Sequence, residues 1–410
     1  MKILLAITGS IACYKSYDVA RLLVKGGHEV KVILTSGALE FIKPETFRYL
    51  GVQDVFLPSD DFRPAKLSQE ASVLHIELSK WAEKLVVAPL SANTLSRLAL
   101  GLSNDLLGSL FLAWAKKPVL FFPAMNTLMW SNQVIQQNVE KLRQQDHVAV
   151  VDPVSGLLAC GDTGAGKFPE VTAVVDLIET HEPQLKINKT VVVTAGATAS
   201  PLDPVRYLTN PSTGRMGISV AKAFLRKGYQ VTVLAGHECS SEVENLAGHP
   251  NFTLHRTPTT ELMKQKALEI FPQTDLYIST GAIADIEFET ASVKLKKETM
   301  GSALPFRQAA DILQQILKLK KPGQKIVSFA AETNVTKEVF MEKMTRKPVD
   351  LMIGNPVSNG LIAGAVVRGF KHTHGEYYFV EAQNIHGPFS LSKNEVGGRL
   401  TEWFEGQKIW

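Results

Sequence analysis

Three side chains in the first half of the sequence have types that could serve one catalytic site. His75 lies in LHIELSKWAE, Asn126 follows an apolar run in PAMN, and Cys160 stands in the glycine-rich stretch ACGDTGAGK. A histidine or a thiol can carry a proton to or from a reacting atom near neutral pH. Taken singly, His75 is typical of a surface histidine near a helix start, and Asn126 is typical of a helix cap. Their meaning depends on the elements that bring them together.

The stretch GDTGAGK, residues 161–167, imitates the glycine and lysine spacing of a phosphate-binding P-loop. Phe168 stands where a P-loop needs a Mg²⁺-binding serine or threonine, and Pro169 follows directly. The residues upstream, DPVSGLLAC, do not form a clear strand pattern. The context of a P-loop is therefore missing, and the sequence instead predicts a mobile glycine-rich flap that carries Cys160 and Lys167 over a site.

A second glycine loop follows the first predicted strand and opens a helix at Gly9-Ser10-Ile11-Ala12. Its N–H groups and the helix dipole can hold a phosphate. The GxGxxG fingerprint is missing, and the second strands of the two halves end in Thr35 and Ala235, where a dinucleotide site needs a ribose-binding acid. These departures argue against NAD and favour FMN, which has one phosphate and no second ribose. A turn glycine without a ligand remains the alternative.

Alternating strands and helices must position these residues. Apolar runs at KILLAIT, EVKVILT, KLVVAP, PVLFFPAM and HVAVV predict strands, with helices after the first glycine loop and near 92–115 and 127–145. The polar stretch HEPQLKINK, residues 181–189, reads as a linker, after which TVVVTAG, QVTVLAG, DLYIST, KIVSFAA, DLMIGN, GAVVRG and EYYFVEA predict further strands. The pattern predicts an α/β protein with two tandem Rossmann-like, doubly wound parallel-sheet domains, residues 1–185 and 189–410.

The composition excludes several classes of protein. The 410 residues suffice for two domains, and 45% hydrophobic with 20% charged residues is ordinary for a globular chain. The net charge of +4 comes from scattered basic residues, which argues against nucleic-acid binding. Cys13, Cys160 and Cys239 are too few and too widely spaced for a disulfide framework. No apolar run reaches membrane-spanning length, and the N-terminus fits a first strand better than a signal peptide, so we expect a cytoplasmic protein without a membrane partner.

The first half resembles the flavin-containing cysteine decarboxylases, specifically the phosphopantothenoylcysteine decarboxylase part of a bacterial fusion enzyme. The matching stretches are GSIACYK, HIELSKWAE, APLSANT, GLSNDL, PAMN and ACGDTGAGK, which span most of residues 1–170. The resemblance implies catalysis by His75, binding of the substrate carboxylate by Asn126, a proton from Cys160, and a substrate contact from Lys167. The FMN contacts that it implies are Gly9, Ser10, Ile11, Thr35, Ala88, Pro89, Ser91, Asn93, Ser103 and Met125.

The second half resembles the phosphopantothenate–cysteine ligase domain of the same fusion enzyme. The matches are TAGATASPLDPVRYLTNPSTGRMG (194–217), GAIAD, KLKK, SFAAET and EKMTRK. The resemblance implies CTP as cosubstrate, turnover of an acyl-nucleotide by Asn210, and catalysis by Lys294 at the triphosphate. Mg²⁺ and lysines are expected because the reaction brings several negative charges together, and Asp203 and Asp285 are acids that could help to hold the metal. The remaining implied nucleotide contacts are Ala282, Asp285, Asp311, Phe329, Lys343 and Lys347.

Two departures from the family pattern bear on substrate preference. Relatives usually carry Thr-Arg-Glu and Asn-Pro-Asp-Ile where this chain has Thr198-Ala199-Ser200 and Ala309-Ala310-Asp311-Ile312, so the choice between CTP and ATP stays open.

The alternative functions are a non-catalytic flavin-binding regulatory protein and a decarboxylase of peptidyl cysteine. The first should carry an acidic tail or lack Cys160, and the second leaves the ligase half unexplained. The resemblance also implies a homo-oligomer, trimer-based through the flavin domain and dimeric through the ligase domain.

Overall fold

The structure is a computed structural model, and it describes residues 1–62, 73–296, 303–358, 374–382 and 384–409. The chain separates into two compact units, Met1–Leu185 and Lys186–Trp410. The predicted strand GAVVRG lies outside the described residues. Within the described ranges, no helix is both long and apolar enough to cross a membrane.

The first unit is built on a six-stranded parallel sheet in the order β3-β2-β1-β4-β5-β6, with a separate antiparallel hairpin, β7-β8. The outermost strands are short, whereas β1 and β4 are continuous apolar runs, as expected of strands covered on both faces. The strands are β1 (Lys2–Ile7), β2 (Glu29–Leu34), β3 (Asp54–Phe56), β4 (Lys84–Leu90), β5 (Val119–Pro123), β6 (Val148–Val150), β7 (Val154–Leu157) and β8 (Thr163–Lys167).

Helices pack on both faces of this sheet. Val19, Leu23, Val174 and Ile178 are fully buried members of one apolar cluster, and the helices after β4 contribute to a second cluster. The helices are α1 (Ser16–Lys25), α2 (Ser36–Leu39), α3 (Pro44–Tyr49), α4 (Leu74–Trp81), α5 (Ala92–Leu100), α6 (Leu106–Leu112), α7 (Thr127–Trp130), α8 (Gln133–Arg143) and α9 (Val171–Thr180), with single 3₁₀ turns at Ile11–Lys15 and Pro58–Phe62.

The second unit contains an eight-stranded mixed sheet in the order β13-β12-β9-β14-β17-β18-β19-β20, and two short hairpins, β10-β11 and β15-β16. Its strands are β9 (Thr190–Ala195), β10 (Ala199–Pro201), β11 (Tyr207–Thr209), β12 (Gln230–Ala235), β13 (Phe252–Arg256), β14 (Leu276–Ser279), β15 (Ile286–Phe288), β16 (Phe306–Gln308), β17 (Lys325–Glu332), β18 (Leu351–Pro356), β19 (His374–Glu381) and β20 (Asn384–Ser392). The helices are α10 (Arg215–Arg226), α11 (Thr260–Ile270), α12 (Ile312–Leu319), α13 (Lys337–Arg346) and α14 (Lys393–Phe404), with 3₁₀ turns at Ser241–Leu246 and Phe271–Gln273.

The topology confirms the predicted α/β class with Rossmann-like parallel cores. In each unit the first six strands of the main sheet, counted along the chain, lie in the order 3-2-1-4-5-6, so the connections reverse direction between the first strand and the fourth. Ligands of such folds bind at that reversal, beyond the carboxyl ends of the strands. The second sheet differs from a purely parallel one because β19 and β20 add an antiparallel edge.

Candidate functional site

The first unit has a cavity of about 420 Å³ beyond the carboxyl ends of its strands. The glycine loop after β1, the start of α5, the turn after β5 and the β7-β8 hairpin form its wall. Most of its lining is apolar, including Ile11, Met129, Leu157 and Phe168, and its volume lies within the range of small-molecule pockets. The predicted residues among its lining are Gly9, Ser10, Ile11, Ser91, Met125, Asn126, Cys160 and Lys167.

The loop after β1 is held close to a neighbouring loop. A Cβ atom on Gly9 would lie 2.9 Å from the Cα atom of Gly37, so only glycine fits there. The Ser10 hydroxyl donates to the Ala124 carbonyl at 3.1 Å and caps the turn Ile11–Lys15. Ser91 caps α5 in the same way. Two sets of N–H groups at helix starts thus border an apolar cavity, which suits a ligand with a phosphate and a flat apolar ring such as FMN.

The hairpin β7-β8 lies directly on the turn that contains Asn126. Gly166 has φ +140°, and a Cβ atom there would lie 2.2 Å from the Met125 carbonyl oxygen. A Cβ atom on Gly164 would lie 2.6 Å from Oγ1 of Thr127. The sequence prediction that no strand precedes the glycine-rich stretch was wrong, because Val154–Leu157 pairs with Thr163–Lys167. Short strands of this kind, rich in glycine and exposed, carry almost no periodic signal.

The tip of this hairpin brings a thiol, an amide and a carboxylate together. Nδ2 of Asn126 lies 3.3 Å from Sγ of Cys160 and 3.2 Å from Oδ2 of Asp162, and the thiol lies 3.3 Å from the same carboxylate oxygen. Oδ1 of Asn126 accepts from the Leu128 N–H and caps α7, which fixes the orientation of the amide. Sequence reasoning missed Asp162, although an acid two positions after a candidate proton donor was a visible signal.

His75 is not among the residues that line this cavity. It lies in the first turn of α4, with Nδ1 2.7 Å from Oδ1 of Asp61. The structure therefore brings Asn126 and Cys160 together within one chain but not His75 with them. The other predicted FMN contacts that do not line the cavity are Thr35, Ala88, Pro89, Asn93 and Ser103. Thr35 is buried, and its hydroxyl donates to the Ile7 carbonyl at 3.3 Å.

The second unit has a cavity of about 470 Å³ beyond the carboxyl ends of β14 and β17. It is lined by more polar groups than the first cavity, including several cations from α10, α13 and α14. Nearly all the predicted nucleotide and substrate residues of this half line it, namely Asn210, Ala282, Asp285, Asp311, Phe329, Lys343 and Lys347.

Two of the cavity's lysines are paired with carboxylates. Lys347 lies 2.7 Å from Asp311, which also caps α12, and Lys343 forms an ion pair with Glu332. Burial lowers the pKa of Lys343, and the nearby charges of Arg346 and Lys347 lower it further. An anionic ligand could replace the two carboxylates as the partner of these lysines. Its negative charge would then offset the repulsion among the three cations.

Lys294 is exposed and does not line the cavity. The following residue is fixed, since the Leu295 N–H donates to Asp203 at 3.1 Å and the Leu295 carbonyl accepts from Arg206 at 2.9 Å. The Arg206 guanidinium holds the pKa of Asp203 well below its usual range. Asp203 therefore anchors loops and is fully engaged, which argues against it as a metal ligand. Among the described residues, no cluster of three or more histidines, cysteines or acids is arranged to hold a metal.

The Asn210 amide has a structural partner as well as a place in the cavity wall. Its Nδ2 lies 3.4 Å from both the Ala282 and the Ile283 carbonyl oxygens.

The sequence did not single out several other lining residues, among them Arg215, Ser328, Arg346, Asn355 and Lys393. Ser328 is 4% exposed, and its hydroxyl has no hydrogen-bond partner within the described part of the chain. Arg346 was the one that the sequence could have revealed, because it stands between the two predicted lysines.

Comparison with known proteins covers both units. Residues 1–181 match the Flavoprotein family model, and residues 187–406 match the DNA/pantothenate metabolism flavoprotein C-terminal domain. The coenzyme A biosynthesis bifunctional protein CoaBC of Bacillus subtilis is 35% identical over 370 residues and that of Haemophilus influenzae 34% over 368, each alignment covering 88% of both chains. A solved PPC decarboxylase mutant complexed with pantothenoylaminoethenethiol is 34% identical, with TM-score 0.39, covering 43% of this chain and 95% of that one.

Proposed function

We propose the function from one premise, which is that this chain belongs to the family of the coenzyme A biosynthesis bifunctional proteins. The chain is accordingly a two-activity enzyme: its second unit is the phosphopantothenate–cysteine ligase, and its first unit is the FMN-dependent phosphopantothenoylcysteine decarboxylase. The observation that carries this proposal is that each unit has its own cavity at the reversal of its strand order, lined by the motif residues of the matching family. We propose the cytoplasm as the place of action, where Cys160 would stay reduced.

The ligase reaction joins 4'-phosphopantothenate to cysteine in two steps. The substrate carboxylate first attacks the α-phosphate of CTP, which releases pyrophosphate and leaves an acyl-cytidylate. The amine of cysteine then attacks the activated carbonyl, and CMP leaves with the acyl oxygen. Lys343, Arg346 and Lys347 would offset the negative charges that meet in the first step. Mg²⁺ would share this task, and Asp285 is the cavity acid that we propose beside it.

Asn210 and the start of α10 would act in the second step. Asn210 lines the cavity together with Ser212 and Gly214, directly before α10 begins at Arg215. N–H groups at a helix start stabilise the negative charge that develops on a carbonyl oxygen under attack. The contacts of the Asn210 amide to the Ala282 and Ile283 carbonyls also join two parts of the cavity lining. We therefore propose that Asn210 both shapes the cavity and orients the activated carbonyl. The role of Lys294 stays a prediction.

The decarboxylase must first convert its substrate into a form that can accept the electron pair left behind when CO₂ departs. When bound, FMN supplies hydride transfer, which oxidises the CH₂–SH end of the product of the ligase to a thioaldehyde and later reverses that oxidation. Loss of CO₂ then pushes the electrons of the broken C–C bond into the thioaldehyde and gives an enethiol. His75 would accept the thiol proton in the first step, Asn126 would hold the carboxylate, and Cys160 would give a proton to carbon in the last step.

We propose that a second copy of the chain completes the decarboxylase site. Within one chain His75 lies outside the cavity that Asn126 and Cys160 line. Apolar side chains on α4 and on α6, which packs against it, are exposed, with Ile76 at 37% and Leu112 at 58%. Contact between copies through such a surface would cover these groups and could place His75 of one copy at the cavity of the next. A trimer-based flavin domain and a dimeric ligase domain remain the oligomer that we propose.

Cutting the chain within residues 181–189 should yield two active fragments, because each unit has its own sheet and core. The first fragment should be yellow and release CO₂ from 4'-phosphopantothenoylcysteine. The second should form that compound from 4'-phosphopantothenate, cysteine and CTP with release of pyrophosphate, and more slowly from ATP. Mixing the fragments should restore the full sequence of reactions. A colourless first fragment with an active second one would contradict the flavin assignment and leave the ligase assignment intact.

Replacing Cys160 by serine should separate the two halves of the decarboxylase reaction. A hydroxyl is a poorer proton donor than a thiol, so oxidation and CO₂ release should continue while the reduced flavin and the enethiol accumulate. Stopped-flow absorbance of the flavin and mass spectrometry of the product would measure the two halves. Cys239→Ser is the matched control, because Cys239 is buried in the second unit. Equal loss of both halves in Cys160→Ser would mean that the thiol has a structural role.

A further inference from the structure

His75 stands in a hydrogen-bonded chain of three side chains from three separate elements. Nδ1 of His75, in α4, lies 2.7 Å from Oδ1 of Asp61. The Ser109 hydroxyl, in α6, donates to the other carboxylate oxygen of Asp61 at 2.8 Å. Asp61 itself lies in the 3₁₀ turn Pro58–Phe62. The carboxylate thus accepts one hydrogen bond on each oxygen, from groups that are 14 and 48 positions away along the sequence.

The burial of the pair argues against a chance surface contact. The Asp61 side chain is 8% exposed, whereas that of His75 is 24% exposed. A carboxylate kept from water needs strong hydrogen bonds, and both of its oxygens have them here. The His75 side chain, in contrast, is only partly covered while its Nδ1 is engaged. Because Asp61 occupies Nδ1, Nε2 is the ring nitrogen that is left to react with a substrate.

Asp60, the acid next to Asp61 in the sequence, makes a different contact, so the contact with His75 is specific to Asp61. Oδ2 of Asp60 accepts from the Leu57 N–H at 2.8 Å and so fixes the start of the 3₁₀ turn. Asp60 therefore holds the backbone, and Asp61 is left to hold the side chains of His75 and Ser109. Two adjacent aspartates with unlike roles give a matched pair for comparison, because either can be changed to asparagine with the same loss of charge.

We propose that Asp61 is a positioning residue of the decarboxylase, which keeps the proton of neutral His75 on Nδ1 and leaves Nε2 as the nitrogen that accepts the substrate's thiol proton. This inference rests on the proposed role of His75. A carboxylate that accepts a hydrogen bond from one ring nitrogen fixes both the tautomer and the direction of an imidazole. Once Nε2 has taken the proton, the charge of Asp61 stabilises the imidazolium that results, without taking the proton itself.

Asparagine at position 61 should reverse the tautomer. The Ser109 hydroxyl would keep donating to the amide oxygen, so the amide N–H would be turned toward Nδ1 and would favour the proton on Nε2. The base would then be blocked at the atom that faces the substrate. In the serine protease triad the same exchange lowers kcat by about 10⁴-fold. We expect Asp61→Asn to slow reduction of the bound flavin by about 10²- to 10⁴-fold with flavin content and KM retained.

The experiment combines kinetics with ¹⁵N NMR of the full chain labelled at histidine. The His75 signals are those that are lost in His75→Asn, and at a pH where the ring is neutral they should show the proton on Nδ1 in the unaltered protein and on Nε2 in Asp61→Asn. Asp60→Asn, the control, should keep both the tautomer and the rate. Asp61→Glu should recover part of the rate, because the carboxylate is restored.

Each outcome separates this inference from the proposed function. If His75→Asn is slow but Asp61→Asn reduces its flavin as fast as the unaltered enzyme, the positioning role is wrong and the role of His75 stands. If His75→Asn is itself fully active, both are wrong. If Asp61→Asn does not fold, the unaltered protein still decides, since a neutral His75 with its proton on Nε2 would overturn the inference.

Discussion

His75→Asn is expected to lower the rate of substrate oxidation by about 10²- to 10⁴-fold or more, while FMN stays bound. The reason is that the thiol proton must leave as hydride leaves carbon, and asparagine cannot accept a proton. The proposed role of His75 is to accept a proton and not to hold the flavin, so its replacement should not change flavin binding. Anaerobic mixing with 4'-phosphopantothenoylcysteine, followed through the flavin absorbance, would measure the rate.

The same variant also tests the proposed assembly of the site. If His75 acts at the cavity of a second copy, oligomers mixed from His75→Asn and Cys160→Ser chains should regain turnover, because some sites receive both unaltered residues. Each variant alone should stay inactive. Flavin reduction in His75→Asn at the rate of the unaltered enzyme would exclude His75 as the base. A mixture that regains nothing would mean that both residues act within one chain.

Changing Lys343 and Lys347 together to glutamine is expected to reduce formation of the acyl-cytidylate by about 10²- to 10⁴-fold. A hydrogen bond to a charged group contributes about 1.5–3 kcal/mol, which is about 10- to 150-fold for each lysine if both contact phosphate. The single variants need not add up, because the two side chains are neighbours with separate carboxylate partners. Release of pyrophosphate in the absence of cysteine would measure the activation step.

Lys264→Gln is the matched control for this experiment. Lys264 pairs with Glu261 in α11 and does not line the cavity, so activation should be unchanged. Binding of CTP should weaken in the double variant, and the stability of the protein should not fall much. Activation at the rate of the unaltered enzyme would show that these lysines face away from the triphosphate.

The sequence predicted the sheets well because strands of parallel sheets are continuous apolar runs. KILLAI and KLVVAPL are recognisable by composition alone, and both are buried along almost their whole length. The strand Phe252–Arg256, at the sheet edge, was not predicted, because its exposed and partly exposed residues lack an apolar pattern. The pair β19-β20 was predicted only as one strand, since β20 is largely exposed.

Site residues that belong to a motif were easier to predict than contacts between motifs. Ser10, Asn126 and Cys160 were named from local patterns, and the structure places all three along one cavity. The contact between Asp61 and His75 could not be predicted, because it depends on how α4 packs beside a 3₁₀ turn and not on any fixed spacing. A matching motif does not always place its residue in the site: Lys294 lies in a matching motif, but it does not line the cavity.

The hairpin β7-β8 holds the one exposed thiol among the chain's three cysteines. Burial raises the pKa of Cys13 and of Cys239, each to about 11, so neither has much thiolate or any access for a reagent. A maleimide or iodoacetamide at neutral pH should therefore modify Cys160 selectively. A fluorescent dye could be attached at this single atom without any engineered cysteine, and its emission would report directly on what happens at the hairpin tip. The same exposure means that the purified protein needs a reductant during storage, because air oxidation would strike this position first.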